Sequence, residues 1–195
     1  YHVQGNHWND IGYNFLIDRY GTIYEGRGGG IDQNVVGAHS LGFNDGTVGI
    51  ALIGDFQNAQ PTDAMQQALV KLLAWRLDIA HVDPLSKVTY VSGGNLKFKK
   101  GTKVTLNAIS GHTDTYLTDC PGTDVESRLP TIAAAVAATG LPKLYAPTVK
   151  GNYSMRSVFT YTSGGTATTA SVTFTASAAG RRRFPAQAGQ GALLM

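Results

Sequence analysis

His112 and Cys120 stand eight positions apart in the run GHTDTYLTDCPG, Gly111 to Gly122, and Cys120 is the chain's one cysteine. Imidazole and thiolate are two of zinc's favoured ligands, and a catalytic zinc takes three protein ligands with a fourth position open for water. Pro121 and Gly122 follow the cysteine and set a turn able to hold the sulfur in one orientation. The bland alternative makes Cys120 a small buried hydrophobe and His112 a satisfied core histidine. Two donors do not make a metal site, so spacing alone leaves both readings open.

The elements that must carry this pair belong to a chain of 195 residues, long enough for one domain with an appendage. Apolar content of 43% and charged content of 15% are those of a globular protein. The net charge of +3 comes from Arg181, Arg182 and Arg183; removing them from 16 Lys and Arg leaves 13, against 13 Asp and Glu. That balance argues against a nucleic-acid footprint spread over the folded part. A single cysteine allows no internal disulfide, so it says nothing about redox compartment. No apolar run approaches the roughly 20 residues of a membrane-spanning helix. The chain opens at Tyr1, inside what reads as a structured element, so the lack of a leader peptide carries no weight.

Asn14 to Asp18 and Thr22 to Glu25 are short apolar runs around Arg19-Tyr20-Gly21, the pattern of a β-hairpin. Val48 to Ile53 is a continuous apolar run, as expected of a strand covered on both faces. Glycine-rich connections at 26–30 and 42–46 separate these strands and are expected to shape a surface groove. Thr62 is a helix N-cap with Asp63 in the first turn, and Met65, Leu69, Leu72, Leu73 and Ile79 recur at helical spacing up to His81. Residues 92–103 form an exposed loop or hairpin, and Val125 to Ala138 a closing helix. The fold class of residues 1–140 is therefore α/β. Residues 141–150 read as a linker, 151–180 as a short β-rich appendage with strands at Ser157 to Tyr161 and Ser171 to Thr175, and 181–195 as an unstructured tail.

Three runs are specific. WNDIGYNFLIDRYGTIYEGR (Trp8 to Arg27), GAHSLGFNDGTVGIALIGDF (Gly37 to Phe56) and GHTDTYLTDCPG stand in the order found in one family. The chain resembles the peptidoglycan recognition protein and type 2 N-acetylmuramoyl-L-alanine amidase family. That resemblance implies a mixed central β-sheet flanked by helices, and a zinc-dependent hydrolase that cuts the amide between N-acetylmuramic acid and L-alanine. It also implies a secreted or cell-wall location, peptidoglycan as partner, no nucleic acid, and a monomer. The same fold also serves as a non-catalytic peptidoglycan-binding module, whose members typically lack the cysteine ligand.

Carried over residue by residue, His112 and Cys120 match two zinc ligands. Tyr13 matches a catalytic tyrosine beside the metal. Thr118 matches a position held by lysine in phage lysozymes and threonine in amidase-active recognition proteins. His2, Trp8 and His39 resemble residues lining the glycopeptide groove. Tyr13 and Thr118 would donate to the tetrahedral oxyanion. No glutamate is obviously placed to deliver a proton to the leaving amine, and Asp114 is a candidate partner for the histidine ligand. Thr113 stands where the family often has arginine. The resemblance also puts the first zinc histidine on an earlier strand upstream of Tyr1, leaving two of three protein ligands here. Weak zinc binding and little turnover are therefore expected of this chain; tight one-to-one binding in a zinc titration would refute that.

Overall fold

The computed structural model describes residues 1–139, together with the strand backbones at 157–163, 166–172 and 191–194. Asp18 sets the first reversal of the chain. One of its carboxylate oxygens accepts from the backbone N–H groups of Tyr20 and Thr22, both at 2.9 Å, while Gly21 adopts φ +82°. The expected hairpin follows: β1 (Phe15–Ile17) pairs antiparallel with β2 (Ile23–Glu25). The apolar run after the second glycine-rich connection becomes β3 (Thr47–Leu52), parallel to β1.

Thr62 caps α1 (Asp63–Ile79) as its sequence suggests, its Oγ1 accepting from the Met65 N–H at 3.2 Å. Met65, Leu69, Leu72, Leu73 and Leu77 form the buried stripe of this helix. β4 (Lys87–Val91) and β5 (Lys103–Asn107) make a separate two-stranded hairpin, and residues 92–102 are its loop. The chain then returns through β6 (Ile109–Gly111) into two single-turn helices, α2 (His112–Thr115) and α3 (Thr123–Glu126). The expected continuous helix from Val125 to Ala138 is divided, and its main part is α4 (Leu129–Ala138). Pro130 explains the division: it lacks the N–H that a helix interior requires and is tolerated only in the first turn.

Beyond residue 139, β7 (Ser157–Ser163) and β8 (Thr166–Val172) pair antiparallel. The second of these begins earlier than the Ser171 expected from sequence. Residues 141–150, read as a linker, lie outside the described residues, as does 181–190 of the tail. β9 (Gly191–Leu194) departs from the unstructured tail expected there: it runs parallel between β3 and β6, with Leu193 opposite both Gly49 and Ser110. The facing edges of β3 and β6 offer backbone groups that a strand in this slot satisfies on both sides.

The five-stranded sheet thus has the order β2-β1-β3-β9-β6 and is mixed. Ile17, Val48, Ile50, Leu52 and Ile109 share one core cluster with the buried faces of α1 and α4. Because side chains alternate across a strand, Gly49 points to the opposite face from Val48 and Ile50. That opposite face carries the residues of interest.

Asn14 locks the frame. Its backbone N–H donates to Gly49 O (2.9 Å) and its Oδ1 accepts from the Gly49 N–H (2.9 Å). Its Nδ2 donates to Val35 O (2.8 Å), tying down the loop between β2 and β3. Replacing Asn14 by Ala leaves the Gly49 N–H and Val35 O without these partners. A loss of about 2–3 kcal/mol is expected, read as a lowered urea midpoint with an unchanged m-value.

Candidate functional site

Three stretches far apart in sequence converge here: the turn before β1, the loop before β3, and the run after β6. The first is an aromatic cluster. His2 stacks on Trp8 with ring centroids 4.8 Å apart and planes 14° from parallel, and lies 5.4 Å from the Tyr13 ring. His2 Nδ1 accepts from the Gly12 N–H at 3.1 Å, which fixes the tautomer with its proton on Nε2. Trp8 is exposed and lines a groove of about 560 Å³ with Asp10, Arg27 and Val36. Burial, then the nearby charge of Cys120, raises the Tyr13 phenol above its ordinary range, so the hydroxyl keeps its proton at neutral pH. The second effect means that Tyr13 lies within electrostatic reach of Cys120.

His112 opens α2 directly after β6 and stacks against Tyr116 at 5.7 Å. Burial lowers its pKa, favouring the neutral imidazole that a metal ligand needs. Cys120 is exposed, and its N–H donates to Thr118 Oγ1 at 3.3 Å. The loop between them is pinned from several sides. Thr113 N–H donates to Cys120 O (2.9 Å), and Gln57 spans the loop by donating to Asp119 O (3.1 Å) and accepting from Thr123 N–H (3.2 Å). Asn95, in the β4–β5 loop, donates to Thr115 O at 2.9 Å. Gly122 adopts φ +92° and lies so near the Phe56 backbone that a Cβ would sit 2.5 Å from the Phe56 carbonyl carbon.

His39 is placed differently from the groove-lining residue the resemblance implies. Its ring is wedged against Gly37 and Gly49, where a Cβ on either glycine would overlap it. Only 6% of His39 is exposed, and neither ring nitrogen has a hydrogen-bond partner. Burial first, then the charges of His112 and Arg27, push its pKa down to about 3. His39 is a neutral floor residue beside His112, beneath the groove rather than on its wall.

Two residues gain a role that sequence did not suggest. Gln57 anchors the cysteine loop, and nothing in its local pattern marks it. Glu126 sits behind the same loop, where its Oε2 accepts from Thr113 Oγ1 (3.1 Å) and occupies the space a Gly111 side chain would need. Thr113 is thus a neutral donor to this carboxylate. Burial raises the Glu126 pKa, opposed by that hydrogen bond.

His112 and Cys120 suit zinc in kind. In number they fall short: among the described residues, no group of three His, Cys, Asp or Glu side chains is gathered to hold a metal ion. The donor set is incomplete for a catalytic zinc, and no step through the metal follows from it.

Comparison with known proteins identifies the family. Residues 1–123 match the family model described as N-acetylmuramoyl-L-alanine amidase. Peptidoglycan-recognition protein LB of Drosophila melanogaster is 35% identical over 122 residues, covering 63% of this chain and 42% of that protein. Peptidoglycan-recognition protein SC2 of Drosophila simulans is 34% identical over 131 residues, covering 67% and 58%. The human N-acetylmuramoyl-L-alanine amidase is 31% identical over 122 residues, covering 63% and 17%. The chain thus spans less than two thirds of each of these relatives. Among the described residues, no helix is long and apolar enough to cross a membrane.

The buried histidine predicts acid sensitivity. Its folded pKa of about 3 lies below the unfolded value of 6.5, so the unfolded chain binds the proton first as pH falls. The stability attached to neutral His39 is present above about pH 6.5 and is lost as pH falls toward 3. Between pH 7 and 4.5 the loss should be about 2–3 kcal/mol. Urea melts at the two pH values should show it, and His39→Leu should flatten the difference.

Proposed function

The chain belongs to the N-acetylmuramoyl-L-alanine amidase family, and from that premise we propose that it acts on peptidoglycan by zinc-dependent hydrolysis of the amide between N-acetylmuramic acid and L-alanine. His112 and Cys120 are, in this reading, two of the zinc ligands. The observation that carries it is the 2.9 Å hydrogen bond from Thr113 N–H to Cys120 O, which folds the cysteine's backbone against the residue that follows His112, with the Tyr13 phenol within electrostatic reach of Cys120. Amide hydrolysis gives a reason to combine an exposed thiol, a phenol that keeps its proton and a desolvated imidazole.

Zinc held by His112 and Cys120 with a further donor would supply an acidified water and polarise the carbonyl. This chain's own side chains have distinct tasks. Tyr13, kept protonated, donates to the oxygen that becomes negative as the amide carbon turns tetrahedral. Thr118 receives the Cys120 N–H on its oxygen, which leaves its hydroxyl hydrogen free to donate to the same oxyanion. Trp8, stiffened by stacking on His2, offers its indole face to a sugar ring along the groove. His39, buried and neutral, keeps the floor dry beneath His112 and touches no substrate. The partner is peptidoglycan, and the site of action is outside the cell or in the wall.

A second reading makes the chain a peptidoglycan-binding module without turnover. The incomplete donor set among the described residues and the recognition-protein names of several relatives favour it. Cys120 favours the enzyme.

One assay separates them. Purified peptidoglycan is incubated with the protein in excess zinc, and newly freed alanine amino groups are counted. Slow release that a chelator abolishes and zinc restores is expected. Cys120→Ser should remove it, and Tyr13→Phe should lower it by about 10²-fold. Chelator-insensitive binding with no release would establish the recognition module instead.

A further inference from the structure

Charge is distributed very unevenly over residues 1–139. Residues 84–113 carry five lysines, Lys87, Lys97, Lys99, Lys100 and Lys103, and no carboxylate. The remainder of 1–139 carries five basic side chains against thirteen acidic ones. The near-neutral total therefore hides a cationic hairpin on an anionic body. All five lysines are exposed, and they belong to β4, β5 and the loop that joins them.

Guarding an open strand edge would account for Lys87 and Lys103, since charge on an edge discourages stray pairing. It does not account for Lys97, Lys99 and Lys100, which lie in the loop. Elsewhere on the domain opposite charges are close neighbours in sequence, as in Asp18-Arg19, Glu25 with Arg27, and Glu126 with Arg128. Clustering of basic side chains is confined to the hairpin: the other five, Arg19, Arg27, Lys71, Arg76 and Arg128, are spread over the rest of residues 1–139.

The hairpin is also joined to the candidate site. Lys97 Nζ donates to Thr113 O at 2.5 Å, next to His112, and Asn95 Nδ2 bridges Leu41 O (2.7 Å) and Thr115 O (2.9 Å). An anion held on the hairpin therefore lies alongside the His112 loop.

We propose that the β4–β5 hairpin is a docking surface for a phosphodiester-linked anionic glycopolymer of the cell wall, which orients the groove on its substrate. The proposal rests on the peptidoglycan reading for where the protein works, and on charge complementarity for what it touches there. A polyanion attracts the hairpin and repels the rest of the domain, so the field selects one approach. The cations are all ammonium groups. They lack the planar fork that reads a carboxylate bidentately and act as point charges of the kind that bind phosphate. Between them stand exposed Thr89, Val91, Thr105 and Asn107, while Tyr90 and Phe98 turn inward onto Phe43. No exposed ring is left on the hairpin for stacking nucleic-acid bases.

The test compares retention of the protein on intact cell walls and on the same walls stripped of phosphodiester polymer by hydrofluoric acid, across a salt series. A variant carrying Lys87→Gln, Lys99→Gln, Lys100→Gln and Lys103→Gln spares Lys97, which holds the site loop. Wild type should bind intact walls at least tenfold more tightly than stripped ones. The variant should bind intact walls no better than wild type binds stripped ones, with a slope of log K against log salt shallower by about three. Arginine at the same four positions should restore retention. A soluble muramyl peptide should bind wild type and variant equally; that measurement reads the groove and fails separately if the amidase reading is wrong. Equal retention on intact and stripped walls, full retention by the glutamine variant, or competition by duplex DNA as effective as by the polymer would each overturn the proposal.

Discussion

The structure depends on how β1 and β3 are held together just before the first strand begins. Asn14 supplies that junction with both its backbone and its amide, so the Gly49 peptide is gripped on its N–H and on its C=O. A regular ladder cannot do this at a strand end, where the next backbone donor has moved out of reach. The side chain extends the pairing by one residue and spends its remaining donor on Val35 O. Tyr13 precedes this junction, and its own carbonyl accepts from Arg27 N–H at 2.8 Å. The phenol is thereby mounted on backbone that is bonded on both sides, which is what a group meant to meet a developing charge requires.

The same junction fixes Gly49, and with it the floor. A glycine at this position lets the His39 ring lie directly on the strand. Both ring nitrogens are then desolvated without compensation, a cost of about 1–3 kcal/mol that the fold carries. What this gains is a neutral, water-excluded layer beneath His112. Burial is the main cause that lowers the pKa of both His39 and His112 and favours the neutral form of each. A low-dielectric floor strengthens every electrostatic contact made above it.

Sequence conveyed the local parts of this arrangement well. The Asp18 to Gly21 reversal, the Thr62 cap and the apolar stripe of α1 are set by residues within a few positions of one another, so spacing alone reveals them. Ordered motifs assigned Tyr13, His112 and Cys120 to one site, and Tyr13 lies within electrostatic reach of Cys120. His39 was less legible, because whether a histidine lines a groove or lies under it depends on Gly37 and Gly49 giving way on either side. Gln57 and Glu126 were not legible at all. Each acts through a partner more than ten positions away, and neither sits in a periodic pattern. The break at Pro130 was available from sequence and outweighed the helical propensity of the alanines that follow it. β9 was hidden for a different reason: four residues without alternation give no strand signal until two edges are present to receive them.

The run from His112 to Cys120 shows why such distant contacts matter. It has little internal regularity: one helical turn, a stretch of bends, and a proline-glycine turn. Left to itself, a loop of this length would sample many conformations at a cost of about 1–2 kcal/mol per residue to fix. Gln57 comes from the turn after β3, Asn95 and Lys97 from the β4–β5 hairpin, and Glu126 from α3, and each takes hold of a different peptide or side chain. Three independent elements therefore share the ordering of one loop, and His112 and Cys120 inherit their positions from all three. The hairpin's lysines follow the same logic. Because Lys97 both carries charge and grips Thr113, long-range attraction to a polyanion and short-range placement of the imidazole are properties of one rigid unit.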